Sequence, residues 1–154
     1  MKEIIRFHSL LVLFLVLIFF SAGISHANVY EKSFGAGADS RNSFRSPVAM
    51  AKDSAGYIYM ADMGNHRILK MNPSGNVIGE YGSLGSGPGQ FDMPFGVAID
   101  KEGNILVADT GNYRVQKFTP SFQFIKSWGT KGKGNGQFGF PREIEIDSHN
   151  NYYI

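Results

Sequence analysis

The chain has 154 residues, 43% of them hydrophobic, so it is long enough for one ordinary domain and too apolar for a disordered segment. Its 15 basic and 13 acidic side chains leave a formal net charge of +2, which offers no electrostatic footprint for nucleic acid. With no cysteine, disulfides, thiolate metal sites and cysteine nucleophiles are excluded together.

At the N-terminus, Lys2 and Arg6 precede an unbroken apolar run from Leu10 to Phe20, and Ser25 and Ala27 place small residues at the −3 and −1 positions of a cleavage site. That order predicts a secretory signal peptide over 1–27, cleaved after Ala27, and a secreted, periplasmic or cell-surface product. An uncleaved anchor is the competing reading, but the run is shorter than the roughly 20 residues a spanning helix needs. Removing residues 1–27 leaves 127 residues with 13 basic and 12 acidic side chains. Such an exported chain without disulfides must be held by packing, or by metals bound through oxygen and histidine.

The rest of the chain repeats. Shifting the sequence by 47 residues aligns Phe44 with Phe91 and Phe138, Pro47 with Pro94 and Pro141, and Asp53 with Asp100 and Asp147. Residues 44–90 and 91–137 share 20 identities without a gap, so the register is fixed. Short runs rich in β-formers alternate with turn residues inside each unit. In the second unit the pattern predicts strands at 96–100, 104–109, 114–118 and 122–128. Asp100 to Gly103 supplies an acceptor and a positive-φ glycine for the first hairpin, Asp109 to Asn112 is expected to do the same for the second, and Thr119 to Ser121 makes the third. Four antiparallel strands in a repeated unit of this length make an all-β propeller blade, whose two apolar faces must be covered by its neighbours.

A Pro-led first strand ending in Asp, then Gly-Asn, a strand ending Ala-Asp, Asn-x-Arg, and an aromatic-Gly close recur in phase from about Phe34 to Ile154. This pattern resembles the NHL repeat family. The resemblance implies a propeller, six-bladed in most of that family. The expected divisions are an outer closing strand and connector over 28–43, blade 1 over 44–90, blade 2 over 91–137 and the start of blade 3 over 138–154. Residues 29–35 align with fourth strands, so they are expected to complete the last blade of a ring. The chain halts inside the second strand of its third unit, and a full ring at this period takes on the order of 300 residues, so about half of it is expected to be absent.

Candidate sites follow from position in the repeat. Asp62, Asn65 and Arg67, with their copies Asp109, Asn112 and Arg114, fall at the hairpin between second and third strands. Being repeated, they are read as structural, the Arg pairing with the Asp and capping carbonyls. The glycine-rich stretches 82–91 and 129–138 lack a Gly-Lys-Ser/Thr and a following helix, so they are connectors on one rim rather than phosphate loops. Rims are where such folds bind. Lys131 and Lys133 give one connector a basic tip where the other carries Leu84 and Ser86, hinting at an anionic partner.

Departures between copies are more informative. Arg142, Glu143 and Glu145 stand where the second unit has Phe95, Gly96 and Ala98. Phe95 and Arg142 are the variable rim residues expected to contact a ligand. Glu143 and Glu145 are expected near the central channel, facing water, pairing with Arg142 or other residues, or helping to hold a cation. His66 and His149 stand at non-equivalent places, and nothing near them in sequence builds a catalytic set. The expected function is a scaffold for a protein or small ligand on the rim, without nucleic acid, and with membrane contact only through the export signal. The alternative, implied by lyases and lactone hydrolases with similar propellers, is an enzyme with Ca²⁺ or Zn²⁺ in the channel. No other cofactor is suggested.

Overall fold

A computed structural model of the chain describes residues 43–154, all within the compact unit Ser33–Ile154. The expected signal peptide and closing strand lie outside the described residues. Strands β1 (Pro47–Lys52), β2 (Ile58–Asp62), β3 (Arg67–Met71) and β4 (Val77–Tyr81) form one antiparallel sheet in chain order. A second sheet repeats it with β5 (Pro94–Ile99), β6 (Ile105–Asp109), β7 (Arg114–Phe118) and β8 (Phe124–Trp128). In the following connector, β9 (Thr130–Lys131) and β10 (Gln137–Phe138) form a short parallel pair. Strands β11 (Glu145–Ile146) and β12 (Tyr152–Tyr153) then open a third unit as an antiparallel pair.

The first hairpin of every unit is set by one aspartate. Asp53 Oδ1 accepts the amides of Ala55 and Tyr57, Asp100 Oδ1 those of Glu102 and Asn104, and Asp147 Oδ1 those of His149 and Asn151. Such local bonds favour the turn over a continued strand, as short polar side chains do. Gly103, at φ 82°, takes the left-handed position expected of it.

The second hairpin differs from expectation. Thr110–Asn112 is one turn of 3₁₀ helix, as is Met63–Asn65, and the left-handed residues are Tyr113 and His66 that follow, not the glycines. Gly111 is needed for space instead, because a Cβ there would strike the Asp92 carboxylate. Phe122 is also left-handed, so β8 begins two residues later than the pattern predicts.

Alternation along β6 distributes its side chains to two cores. Ile105 and Val107 join Tyr59, Ile68, Phe91 and Phe118 between the two sheets, whereas Leu106 and Ala108 pack with Val115 and Ile144 against the third unit. All five β6 residues are buried, in keeping with a strand covered on both sides. By contrast β8 is mostly exposed, with Ile125 43% accessible. Ile105→Ala is therefore expected to cost about 2–5 kcal/mol, and Ile125→Ala about 0.5 kcal/mol or less, measured as shifts in denaturant midpoint at constant slope.

Candidate functional site

Both β2–β3 turns lie at the same end of the sheets as the connectors leading from one unit to the next. This follows from the register, in which Asp62 faces Pro47 and Arg67, and Tyr81 faces Ile68. The opposite end carries the β1–β2 and β3–β4 hairpins. The connector rim is built on a buried carboxylate. Asp109 is fully enclosed; its Oδ1 accepts the Asp92 amide at 2.7 Å and Asn112 Nδ2 at 3.0 Å, and its Oδ2 accepts Arg114 Nε at 2.8 Å and Gln116 Nε2 at 3.0 Å. The same donors hold the incoming connector: Asn112 donates to the Gly85 carbonyl, Arg114 Nη2 to those of Gly87 and Gln90, and Gln116 to that of Gln90. Asp62, Asn65 and Arg67 fasten residues 43–45 in the same way, with Arg67 also reaching Glu80 Oε2 at 2.7 Å. A charge removed from water is tolerated here because its acceptor positions are filled by charged and neutral donors.

On this fixed frame the variable residues come together. Pro141 is tied by its carbonyl to Thr110 Oγ1 at 2.6 Å. The flanking residues then lie on the second sheet: Phe140 rests 5.3 Å from the Tyr113 ring, and the Arg142 guanidinium sits 5.5 Å from the centre of the Phe95 ring. Gly96 permits that approach, since a Cβ there would strike the Arg142 carbonyl oxygen. Lys131 Nζ lies 5.0 Å from the centre of the Tyr113 ring. Lys133 is exposed and makes no contact of this kind. In the preceding unit the equivalent positions are Leu84, His66 and Met93, where His66 Nδ1 accepts the Met93 amide at 3.1 Å and lies 3.5 Å from Asp92 Oδ1.

Glu143 and Glu145 are exposed on either side of buried Ile144, and Glu145 opens β11. Neither pairs with Arg142, whose cation is taken up by the Phe95 ring. Among the described residues no three His, Asp or Glu side chains converge as a metal site would require. His149 stays at the β11–β12 turn, beside Ser148.

Residues that sequence reasoning did not single out complete both ends. Tyr113 and Phe140 vary between copies just as Phe95 and Arg142 do, so the same test would have found them. Gln116, whose copy is Leu69, also differs between units and answers to the same test, although it serves the clamp rather than the rim surface. At the opposite end, Lys117 Nζ pairs with Asp100 Oδ2 at 2.8 Å and donates to Tyr152 Oη at 2.9 Å, while Tyr152 donates to Asp100 Oδ2 at 3.0 Å, which ties the second unit to the third. Burial pushes the Asp100 carboxyl up, but Lys117, Asn104 and Tyr152 outweigh it and hold the group below the usual carboxylate value. Burial likewise lowers Lys117, and Asp100 and Tyr152 outweigh it, so the amine lies above its usual value.

Residues 91–118 match the NHL repeat. A search of curated proteins finds no match. Among solved structures, the chain is similar to streptogramin B lyase at 22% identity, covering 69% of this chain and 32% of that one with a TM-score of 0.54. It is also similar to the hydrazine synthase of Kuenenia stuttgartiensis, at 16% identity over 70% of this chain and 28% of that one, TM-score 0.54. A catalytically inactive virginiamycin B lyase from Staphylococcus aureus, solved with quinupristin, matches at 15% identity over 88% of this chain and 39% of that one, TM-score 0.54. The chain spans 28–39% of the length of these proteins. The sheets and their repeated clamp define an all-β propeller fold.

Two expectations follow. Asp109→Ala leaves Arg114 without its buried partner and releases the connector, so it is expected to cost about 3 kcal/mol or more, read from the denaturant midpoint. The depressed Asp100 pKa gives stability that is complete above the unfolded value and lost as pH falls through the folded one, while the raised Lys117 pKa gives stability lost as pH rises through it. The pair thus contributes fully between roughly pH 4 and pH 10. Asp100→Asn should lower the plateau by about 3 kcal/mol and make the acid limb of a midpoint-against-pH curve shallower.

Proposed function

We propose that the protein is an exported NHL-type propeller, six-bladed as a complete ring, that serves as a protein- or ligand-binding scaffold through its connector rim. One observation carries this reading: Phe95 and Arg142, which differ from their copies in the other units, are brought into contact on a rim whose backbone is held by a buried, fully satisfied carboxylate. A rigid frame presenting variable side chains suits recognition, because little order remains to be imposed when a partner arrives. The partner is a protein or small ligand rather than nucleic acid, and export through residues 1–27 places the scaffold outside the cytoplasm.

A second reading is favoured by the two lyases among the similar structures: a propeller enzyme whose channel holds Ca²⁺ or Zn²⁺ with help from Glu143 and Glu145. Calorimetric titration of the intact chain with each metal separates the two. Binding that disappears in Glu143→Gln and Glu145→Gln supports the enzyme.

For the scaffold, a partner is to be captured with the intact protein and its affinity measured for variants. Phe95→Ala and Arg142→Ala should each weaken it about tenfold, with an unaltered denaturant midpoint for Arg142→Ala. Unchanged affinity in both would remove the site from this rim. The exported product should begin at Asn28 by N-terminal sequencing.

A further inference from the structure

Among the described residues, three cations on the connector rim have no carboxylate within ion-pair distance. Lys131 lies on Tyr113, Arg142 lies on Phe95, and Lys133 is free in solvent; none of the three has a carboxylate within ion-pair distance among the described residues, although Glu143 follows Arg142 in the chain. By contrast, Arg67, Arg114 and Lys117 are each engaged by aspartate, while Lys70 and Lys126 also lie over rings. Stacking on a ring holds a cation in place without neutralising it, so its charge stays available.

The contacts join into one strip. Lys131 touches Tyr113, Tyr113 touches Phe140, and two residues on Arg142 touches Phe95. Phe140 is 61% accessible and is the large apolar group at its centre. From Phe95 the chain leads back to Met93, two residues earlier, and to Leu84, which bridges to Phe91. There the strip changes character: Leu84 is 63% accessible and Met93 is 42% accessible, with no cation among the copies of Lys131, Lys133 and Arg142. Met93 has a left-handed φ of 48°, as its copy Ser46 does at 52°, and its amide donates to His66 Nδ1. One half is basic and aromatic, the other apolar.

We infer that this strip binds an extended acidic peptide segment, its carboxylates on Lys131, Lys133 and Arg142 and its apolar side chains on Phe140, Phe95, Met93 and Leu84. The inference rests on the scaffold reading above and names the chemistry of its partner. Carboxylates fit because Lys131 and Arg142 are held on rings without a carboxylate beside them, which reduces the ordering required on binding, and Lys133 adds a third charge from solvent. Apolar side chains fit because the basic half ends on exposed hydrophobic groups that a polyphosphate leaves uncovered. Glu143 and Asp92 on the same rim repel a chain that is charged at every step, whereas a peptide can place neutral residues opposite them.

The probe is a fluorescein-labelled peptide alternating Glu and Leu, compared with the same peptide carrying Gln for Glu and with labelled single-stranded DNA, using anisotropy and the intact protein. The Glu-Leu peptide should bind at least about tenfold more tightly than the Gln-Leu peptide, and its affinity should fall as salt rises. Lys131→Gln and Arg142→Ala should each reduce it several-fold, and Leu84→Ser should reduce it without altering the salt dependence. Since these side chains are exposed, their variants should keep the parental denaturant midpoint. Equal binding of the two peptides overturns the acidic class, and if Phe95→Ala still weakens both, the scaffold reading stands without it. Tighter binding of the DNA than of the Glu-Leu peptide, or unchanged affinity in Lys131→Gln together with Arg142→Ala, also overturns the inference.

Discussion

The structure depends on a carboxylate placed where water cannot reach it. Asp109 ends the second strand of its sheet, and every donor that satisfies it also belongs to the problem of connecting one sheet to the next. An isolated buried charge would be prohibitive, yet here the arginine, the asparagine, the glutamine and one connector amide arrive together. Removing any one leaves the others with an imperfectly paired ion, so the arrangement is kept as a set. Asp62 repeats the set one unit earlier without the glutamine, since Leu69 stands there.

This clamp explains how a glycine-rich connector can hold a defined path. Backbone groups of Gly85, Gly87 and Gln90 would otherwise face solvent or each other; they accept instead from side chains of the following sheet. The hydrophobic contribution is added at the same place, where Phe91 leaves the connector to pack on Phe118 between the sheets. A polar anchor and an apolar plug thus act on the same short stretch of chain. At the opposite end the Asp100–Lys117–Tyr152 group links the second and third units, and its counterpart in the first sheet is different: Lys70 lies over Tyr57 and Tyr59 rather than on a tyrosine of the next unit.

Function on such a scaffold is separated from stability by position. Asp, Asn and Arg that recur with the 47-residue period turn inward to the clamp, and Phe95, Tyr113, Phe140 and Arg142, which change between copies, meet on the rim in front of it. Tyr113 and Phe140 belong to the second group, and the cations beside them are held by rings rather than by acids. The clamp therefore supplies rigidity to the same surface whose side chains vary.

Much was legible from the sequence alone. The repeat and its period, the all-β class, the limits of β7 and the aspartate-led first hairpins were local, because strand alternation and Asx turns are written in neighbouring residues. Only the tertiary structure decided the rest. It moved the left-handed position from Gly111 to Tyr113, gave Gly111 a steric role against Asp92, and recruited Gln116, whose copy is Leu69, into the clamp. It also set Arg142 on Phe95 instead of beside Glu143. These outcomes depend on groups some tens of residues apart meeting across two sheets, and neither propensity nor periodicity carries the distance between them.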